Sequence, residues 1–329
     1  MQNVLLTSTL HDPKGALLKP LQQAVDVVLS NYRGWVFSIT ATTDPLVKEL
    51  LRSKGERGIY ITEPDLTSPI VDNEIENNHL NALRKALAVT RELGISKIQY
   101  TDWDRIVVAA KYYPKDLSEM AEMAANIGDT GSYLNLRRSL KDFLAHHPPL
   151  VHTETEFKGL YSKAFGIPLD IGSTAHVMSA DVVEEILRRS PEMEPISFPQ
   201  PKWIIIAKEG GATIKSAETH NVLTFETPLQ FIMSLDAKIT GDYSLLQQAY
   251  MTTLGAASNK NPKEWGLRFE TERQYLKLLQ NHLNIFGFNL QKEESFQREL
   301  QRSLQYLKGW QETMTKTLEG SGKGPERDN

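Results

Sequence analysis

Asp102 and Asp104, one residue apart in ISKIQYTDWDR (Ile95–Arg105), are the two side chains in this chain best spaced to do chemistry together. Ile98 and Tyr100 alternate with polar neighbours and predict a strand that ends at the first aspartate. An extended D-x-D sets its carboxylates about 7 Å apart along the chain, on roughly the same side of the strand end. Hard divalent cations that carry phosphates want this arrangement: one or two carboxylates, with diphosphate oxygens and water in the remaining positions. The competing reading of the same residues is a polar strand-to-helix junction, with Asp104 capping a helix that begins at Arg105-Ile106-Val107.

Asn73–Gly94, NEIENNHLNALRKALAVTRELG, carries Leu80, Leu83, Leu87 and Val89, with Ala82 and Ala86, at helical spacing, and Gly94 fits as its stop. Val4–Thr9 reads as a buried strand, followed by the turn LHDPKG and an amphipathic helix over Ala16–Ser30. Trp35–Ala41 is a second strand, and Thr43 or Asp44 caps a helix to Ser53 with Pro45 in its first turn. Gly58–Thr62 is a third strand, which makes the D-x-D strand the fourth. Short apolar strands alternating with helices predict an α/β fold: a mostly parallel open sheet with helices on both faces and ligands at the carboxyl ends of the strands. Thr7, Ser8, Thr40, Asp44 and Asp102 fall at those ends. No G-x-G-x-x-G follows the first strand and no G-x-x-x-x-G-K-[ST] occurs, which removes the main support for a dinucleotide-dehydrogenase or P-loop reading.

N-x-x-R-x-A-L, from Asn81 to Leu87, followed by an apolar strand ending in D-x-D, resembles family 2 inverting glycosyltransferases of the GT-A fold. The resemblance covers most of Asn3 to Glu226 and extends to a bacterial group of glycosyltransferase-like proteins with a helical C-terminal extension. It implies a GT-A-like sheet in which Arg84 faces a nucleoside diphosphate, and Asp102 and Asp104 hold Mg or Mn together with the sugar-phosphate. Asp44 would face the nucleoside, and Thr7 and Ser8 would line the pocket floor. Leu169-Asp170-Ile171-Gly172-Ser173 is similar to the strand after the D-x-D whose small residues line the acceptor side, with Gly172 allowing close approach. His220 lies where some GT-A enzymes carry a histidine metal ligand, though a lone histidine there also reads as structural. Glu226-Thr227 matches an E-T element of the bacterial group.

An inverting transferase needs a base to deprotonate the acceptor hydroxyl. The family carries an acid just before a Trp-led strand, whereas here Phe198-Pro199-Gln200-Pro201-Lys202-Trp203 has the tryptophan and no acid. Glu154 and Glu156 are the candidates by position, with Glu192 and Glu194 as substitutes. Thr153-Glu154-Thr155-Glu156 reads most simply as a capping box that opens a helix, and the bacterial group has a T-E-x-E-like element at this point.

The rest of the chain sets bounds. The 329 residues are long enough for a large domain with an appendage, or for two domains. A formal net charge of −4 argues against a nucleic-acid binder, whose phosphate affinity needs clustered Lys and Arg. The absence of cysteine excludes disulfides, thiolate metal sites and a cysteine nucleophile. MQNVLLTSTLHD lacks a signal-peptide pattern, and no apolar run reaches the roughly 20 residues that span a bilayer, so the expected location is cytoplasmic.

Leu117–Ala125 reads as a helix, Ser132–Leu136 as a strand and Leu140–Ala145 as a helical turn before His146-His147-Pro148-Pro149; those adjacent histidines point apart and read as structural. Val151–Gly166 is an amphipathic helix, Ile167–Met178 a strand, Ser179–Arg189 a capped helix, and Trp203–Ala207 and Ala212–Ala217 two strands around EGG. From Thr227 the character changes to helices over Leu245–Leu254, Glu264–Phe286 and Glu293–Leu318. The stripe Leu267, Tyr275, Leu279, Leu283 and Phe286 is a bundle face against the rest of the protein or against a second copy, through which the chain would form a homo-oligomer.

The expected organisation is a nucleotide-sugar-binding domain over 1–226, a helical region over 227–319 and a disordered tail over 320–329. The expected function is metal-dependent transfer of a sugar from a nucleoside-diphosphate donor to an acceptor that the sequence leaves open. Two alternatives stand beside it. One is a nucleotidyltransferase, against which Thr7–Gly15 offers only one lysine and one glycine. The other is a non-catalytic nucleotide-sugar-binding or assembly protein, supported by the missing acid before Trp203.

Overall fold

The run Val4–Ser8 is buried throughout and therefore belongs to a strand covered on both faces. In the computed structural model, which describes residues 1–15, 18–63, 71–146, 148–196, 198–223 and 262–320, that run lies inside a seven-stranded sheet. The strands are β1 (Gln2–Leu10), β2 (Tyr32–Ile39), β3 (Ile59–Thr62), β4 (Lys97–Tyr100), β5 (Ser132–Arg138), β6 (His176–Ser179) and β7 (Thr213–Thr219), in the spatial order β3-β2-β1-β4-β6-β5-β7. All neighbouring pairs are parallel except those of β6, which runs antiparallel to β4 and β5. The chain winds outward from β1 through β2 to β3, then returns to place β4 on the other side of β1. The β1/β4 junction is thus the point where strand order reverses.

The helices are α1 (Leu18–Asn31), α2 (Pro45–Ser53), α3 (Val71–Leu93), α4 (Trp103–Tyr112), α5 (Pro114–Ala125), α6 (Leu140–Leu144), α7 (Pro148–Phe165), α8 (Ala180–Arg189), α9 (Gln200–Glu209), α10 (Pro262–Asn281) and α11 (Leu290–Gly320). Asp44 caps α2, accepting from Leu46 N at 2.8 Å, with Pro45 behind it. α3 stops at Gly94, whose φ of 65° a side chain would resist. On one face of the sheet α1, α4 and α5 pack together, with Val25, Val28, Ile106, Val107 and Met120 against Leu6, Trp35, Phe37, Leu134 and Val177. On the other, α3, α8 and α9 pack together. The open α/β sheet with helices on both faces, and the helical C-terminal region, are as expected.

The described residues of Met1–Asp142 and Ile167–Pro228 make one compact unit, and those of Phe143–Gly166 and Leu229–Asn329 make a second. Within the second, Phe157 packs edge-on to Tyr275 with ring centres 5.0 Å apart, Tyr161 Oη donates to Tyr275 O, and Lys163 pairs with Glu299. Leu279 and Leu283 of the predicted stripe are buried there. The helix over Leu245–Leu254, the Glu226-Thr227 element and residues 321–329 of the predicted tail lie outside the described residues, as does the side chain of Leu267.

Three expected elements differ. Trp203–Ala207 is not a strand but the buried middle of α9. Its isoleucines suit a strand, yet Pro201 sits in the first turn of the helix and Gly210-Gly211 follow its end; burial on every side erases any helical period. Leu169–Ser173 is not a strand either. Asp170 accepts from Arg138 N (3.0 Å), Nε (2.8 Å) and Nη2 (2.7 Å), and its own N–H donates to Asn135 Oδ1 at 2.7 Å. Side chains therefore replace the ladder, and a 3₁₀ turn follows over Ile171–Ser173 before β6 begins. Finally, α7 begins at Pro148, so Thr153–Glu156 lies inside the helix rather than at its start, and Thr153 Oγ1 donates back to Leu150 O.

Candidate functional site

The carboxyl end of β4 is tied to the interior of β1 by Thr101 N donating to Thr7 O at 3.0 Å, and Asp102 is the next residue. It stands at the N-cap position of α4, with Asp104 in the first turn, so the cap falls on Asp102 and not on Asp104. The Asp102 carboxylate makes no capping bond. Its Oδ2 accepts from Thr174 Oγ1 at 2.7 Å and lies 3.7 Å from Arg105 Nε, and its side chain is 28% exposed. Asp104 Oδ1 accepts from Arg105 N at 2.8 Å, and Asp104 is also partly exposed. Both acids sit at the N-terminal, positive end of the α4 dipole.

Beneath them, Tyr100 and His176 pair in register across β4 and β6 on the face that carries α3 and α9. The ring of Tyr100 lies 5.2 Å from His79 and 5.2 Å, edge-on, from Trp203. Thr9 Oγ1 is 3.1 Å from Tyr100 Oη. His79 is almost fully buried, and its Nδ1 donates to Ile75 O at 2.7 Å, which leaves the lone pair on Nε2. Burial holds its pKa below the usual imidazole value, against the opposing pull of the Ile75 carbonyl and of Asp102. Burial, and then the charge of Asp102, push the Tyr100 phenol well above its ordinary range. His79 and Tyr100 are therefore neutral neighbours of the aspartate. His176, against Tyr133 Oη at 2.8 Å, is driven down to about 3 by burial and is neutral as well.

The remaining candidates are placed as follows. Thr7 and Ser8 are wholly buried: Thr7 Oγ1 donates to Ala82 O, and Ser8 Oγ donates to Thr101 O while accepting from Trp35 Nε1. Both hydroxyls are engaged inside the fold. Asp44 lies beyond β2, beside Gly15, near Thr40, which bonds Thr43 at 3.0 Å; His11, which the sequence did not single out, joins them with its Nδ1 2.9 Å from Thr40 Oγ1. Arg84 is exposed on α3 and donates to Asn81 Oδ1 of its own helix. Gly172 is partly buried in the 3₁₀ turn, and His220 is exposed just after β7. Glu154 and Glu156 belong to α7 in the second unit, where Glu156 Oε2 accepts from Ser303 Oγ at 3.1 Å. The stretch before Trp203 contains Lys202, buried against Glu76 on α3 with Nζ 2.5 Å from Oε1.

Among the described residues no group of three or more His, Asp or Glu side chains is gathered as a metal-ligand set, so His220 does not complete one with Asp102 and Asp104. The D-x-D is not the extended pair expected, since α4 already begins at Trp103, but each partly exposed carboxylate is a hard oxygen donor of the kind a divalent ion takes together with ligand and water oxygens. Among the described residues no helix is long and apolar enough to cross a membrane.

No protein-family model matches the chain, and comparison with curated proteins finds no match. Among solved structures, the chain is similar to glucosyl-3-phosphoglycerate synthase of Mycobacterium tuberculosis crystallised with Mn2+, uridine diphosphate and phosphoglyceric acid, at 11% identity and a TM-score of 0.44, over 74% of this chain and 78% of that one. A second crystal structure of the same synthase gives 10% identity and a TM-score of 0.42, over 73% and 78%. At that similarity neither fold nor activity carries over to this chain.

Proposed function

We propose that this protein is a GT-A-like, metal-dependent glycosyltransferase that takes a sugar from a nucleoside-diphosphate donor. One observation carries the reading. The D-x-D pair stands at the carboxyl end of β4, beside β1, at the point of the sheet where strand order reverses. Open α/β sheets bind their ligands at such a point. Asp102 and Asp104 would hold Mg or Mn and the diphosphate, Asp44 would face the nucleoside, and Arg84 would neutralise phosphate charge. When bound, the metal would supply Lewis-acid stabilisation of the departing nucleoside diphosphate.

Glu154 and Glu156, of α7 in the second unit, stand only as the candidates by sequence position for the base that deprotonates the acceptor. Replacing the true base by glutamine should cost about two to four orders of magnitude in turnover with donor binding unchanged. Full activity in both variants would move the role elsewhere. A second reading, non-catalytic binding of a nucleotide-sugar, draws on Lys202: where the family carries an acid, this chain has a buried lysine paired with Glu76.

A thermal-shift screen of nucleoside diphosphates and their sugars, with and without Mn2+, tests the binding function that both readings share. The expected result is a metal-dependent rise in melting temperature with at least one nucleotide. No shift with any of them would overturn both readings. Metal-dependent hydrolysis of the bound donor then separates enzyme from binder.

A further inference from the structure

Asp102 is held from two directions by residues outside the D-x-D. Thr174 comes from the turn before β6, seventy-two positions along the chain, and its hydroxyl lies 2.7 Å from Asp102 Oδ2. That hydroxyl has one proton and two acceptors at the same distance, the carboxylate and Ser173 O. The charged acceptor makes the stronger bond. Thr174 also has a φ of 55°, a left-handed backbone that a β-branched residue adopts at a steric cost. Strain of this kind persists where the surrounding structure enforces it and clusters at ligand sites. Arg105 supplies the second direction. It is 2% exposed, its Nε lies 3.7 Å from Asp102 Oδ2, and its Nη1 donates to Ser173 O at 3.1 Å and to Leu223 O at 3.4 Å. One guanidinium thus faces Asp102 and also pins the residue before Thr174.

On the footing that Asp102 binds a metal–diphosphate, we propose that Thr174 and Arg105 are positioning residues: they fix the Asp102 carboxylate by Oδ2 and so determine how its other oxygen meets the cation. Groups that orient a metal-binding side chain typically govern affinity by 10- to 100-fold. Thr174 pays for its backbone with that one hydroxyl bond, and Arg105 keeps the turn that carries it in place.

The test uses the full chain and follows free Mn2+ by electron paramagnetic resonance, with Mn2+ alone and with Mn2+ plus uridine, adenosine or guanosine diphosphate. Thr174→Val keeps the shape and removes the hydroxyl; it should weaken Mn2+ binding about tenfold or more while unfolding remains cooperative. Thr174→Ser should restore affinity to within about threefold of wild type, since the hydroxyl returns. Arg105→Lys keeps the charge without the fork and should weaken Mn2+ binding as well; it reads the same quantity if Thr174→Val fails to fold. Wild-type affinity in Thr174→Val, or equal losses in Thr174→Val and Thr174→Ser, would overturn the positioning role and leave the site standing. A wild-type protein that binds no Mn2+ under any of these conditions would overturn the site, and the positioning role with it.

Discussion

Two sets of acidic side chains in this molecule are held in opposite ways. Asp102 and Asp104 stand at a strand end and a helix N-terminus, partly exposed, each with an oxygen engaged by a neighbouring donor. Glu272 of α10, in the second unit, is 1% exposed, and its two oxygens meet no hydrogen-bond partner among the described residues. Burial, and then the charges of Glu156 and Glu154, push its carboxyl up to about 10. At neutral pH it is an uncharged acid in a helical core. Residue type alone thus does not decide the state of an acid: the pair just after β4, the central strand, stays partly exposed, and the buried glutamate gives up its charge.

The largest effect that would sharpen this contrast concerns a third acid, Glu76, which is buried but paired. Lys202→Met removes its cation and leaves a charge in the core, so stability should fall by about 3–5 kcal/mol in urea titrations. A loss under about 1 kcal/mol would show that Glu76 sheds its charge as Glu272 does.

Glu272 itself predicts a pH dependence. Its carboxyl titrates higher in the folded protein than in the unfolded chain, so folding takes up a proton. Its contribution is complete below the unfolded value, about 4.3, and is lost as pH rises toward about 10. Glu272→Gln, neutral at every pH, should flatten that decline and raise the melting temperature at pH 8 by about 2 °C. Identical pH profiles for variant and wild type would place an ionised glutamate in this core and break the contrast.

The smallest effect concerns Arg84, exposed and bound to Asn81 of its own helix. Arg84→Ala should weaken nucleoside-diphosphate binding up to about fivefold and nucleoside binding less, as suits an exposed charge pair. Equal losses for the two ligands, or none, would make it a solvated helix arginine.

Much of the sheet was legible in the sequence because its punctuation is local. Asp44-Pro45 starts α2, Gly94 stops α3, and the apolar runs around Leu6 and Trp35 are strands covered on both faces. What failed was buried on every side or organised by distant side chains. Trp203–Ala207 has no polar face from which to read a period, and Leu169–Ser173 takes its shape from Arg138 and Asn135. The aspartates of the site could be read because they are adjacent. Their companions could not: Thr174 and His79 come from other elements and meet Asp102 and Tyr100 only after the sheet has formed. Arg105 adjoins the motif, yet nothing in its spacing says that it turns inward to Ser173.

Calorimetric titration of nucleoside diphosphates into wild type, Asp102→Ala and Asp104→Ala, each with and without Mn2+, tests the central claim most directly. Wild type should bind at least one nucleoside diphosphate in a Mn2+-dependent way. Both variants should lose that metal-dependent binding while their stability moves by less than about 1 kcal/mol, as expected for partly exposed side chains that serve a ligand rather than a core. Wild-type affinity and metal dependence retained in both variants would contradict the assignment of the site to Asp102 and Asp104.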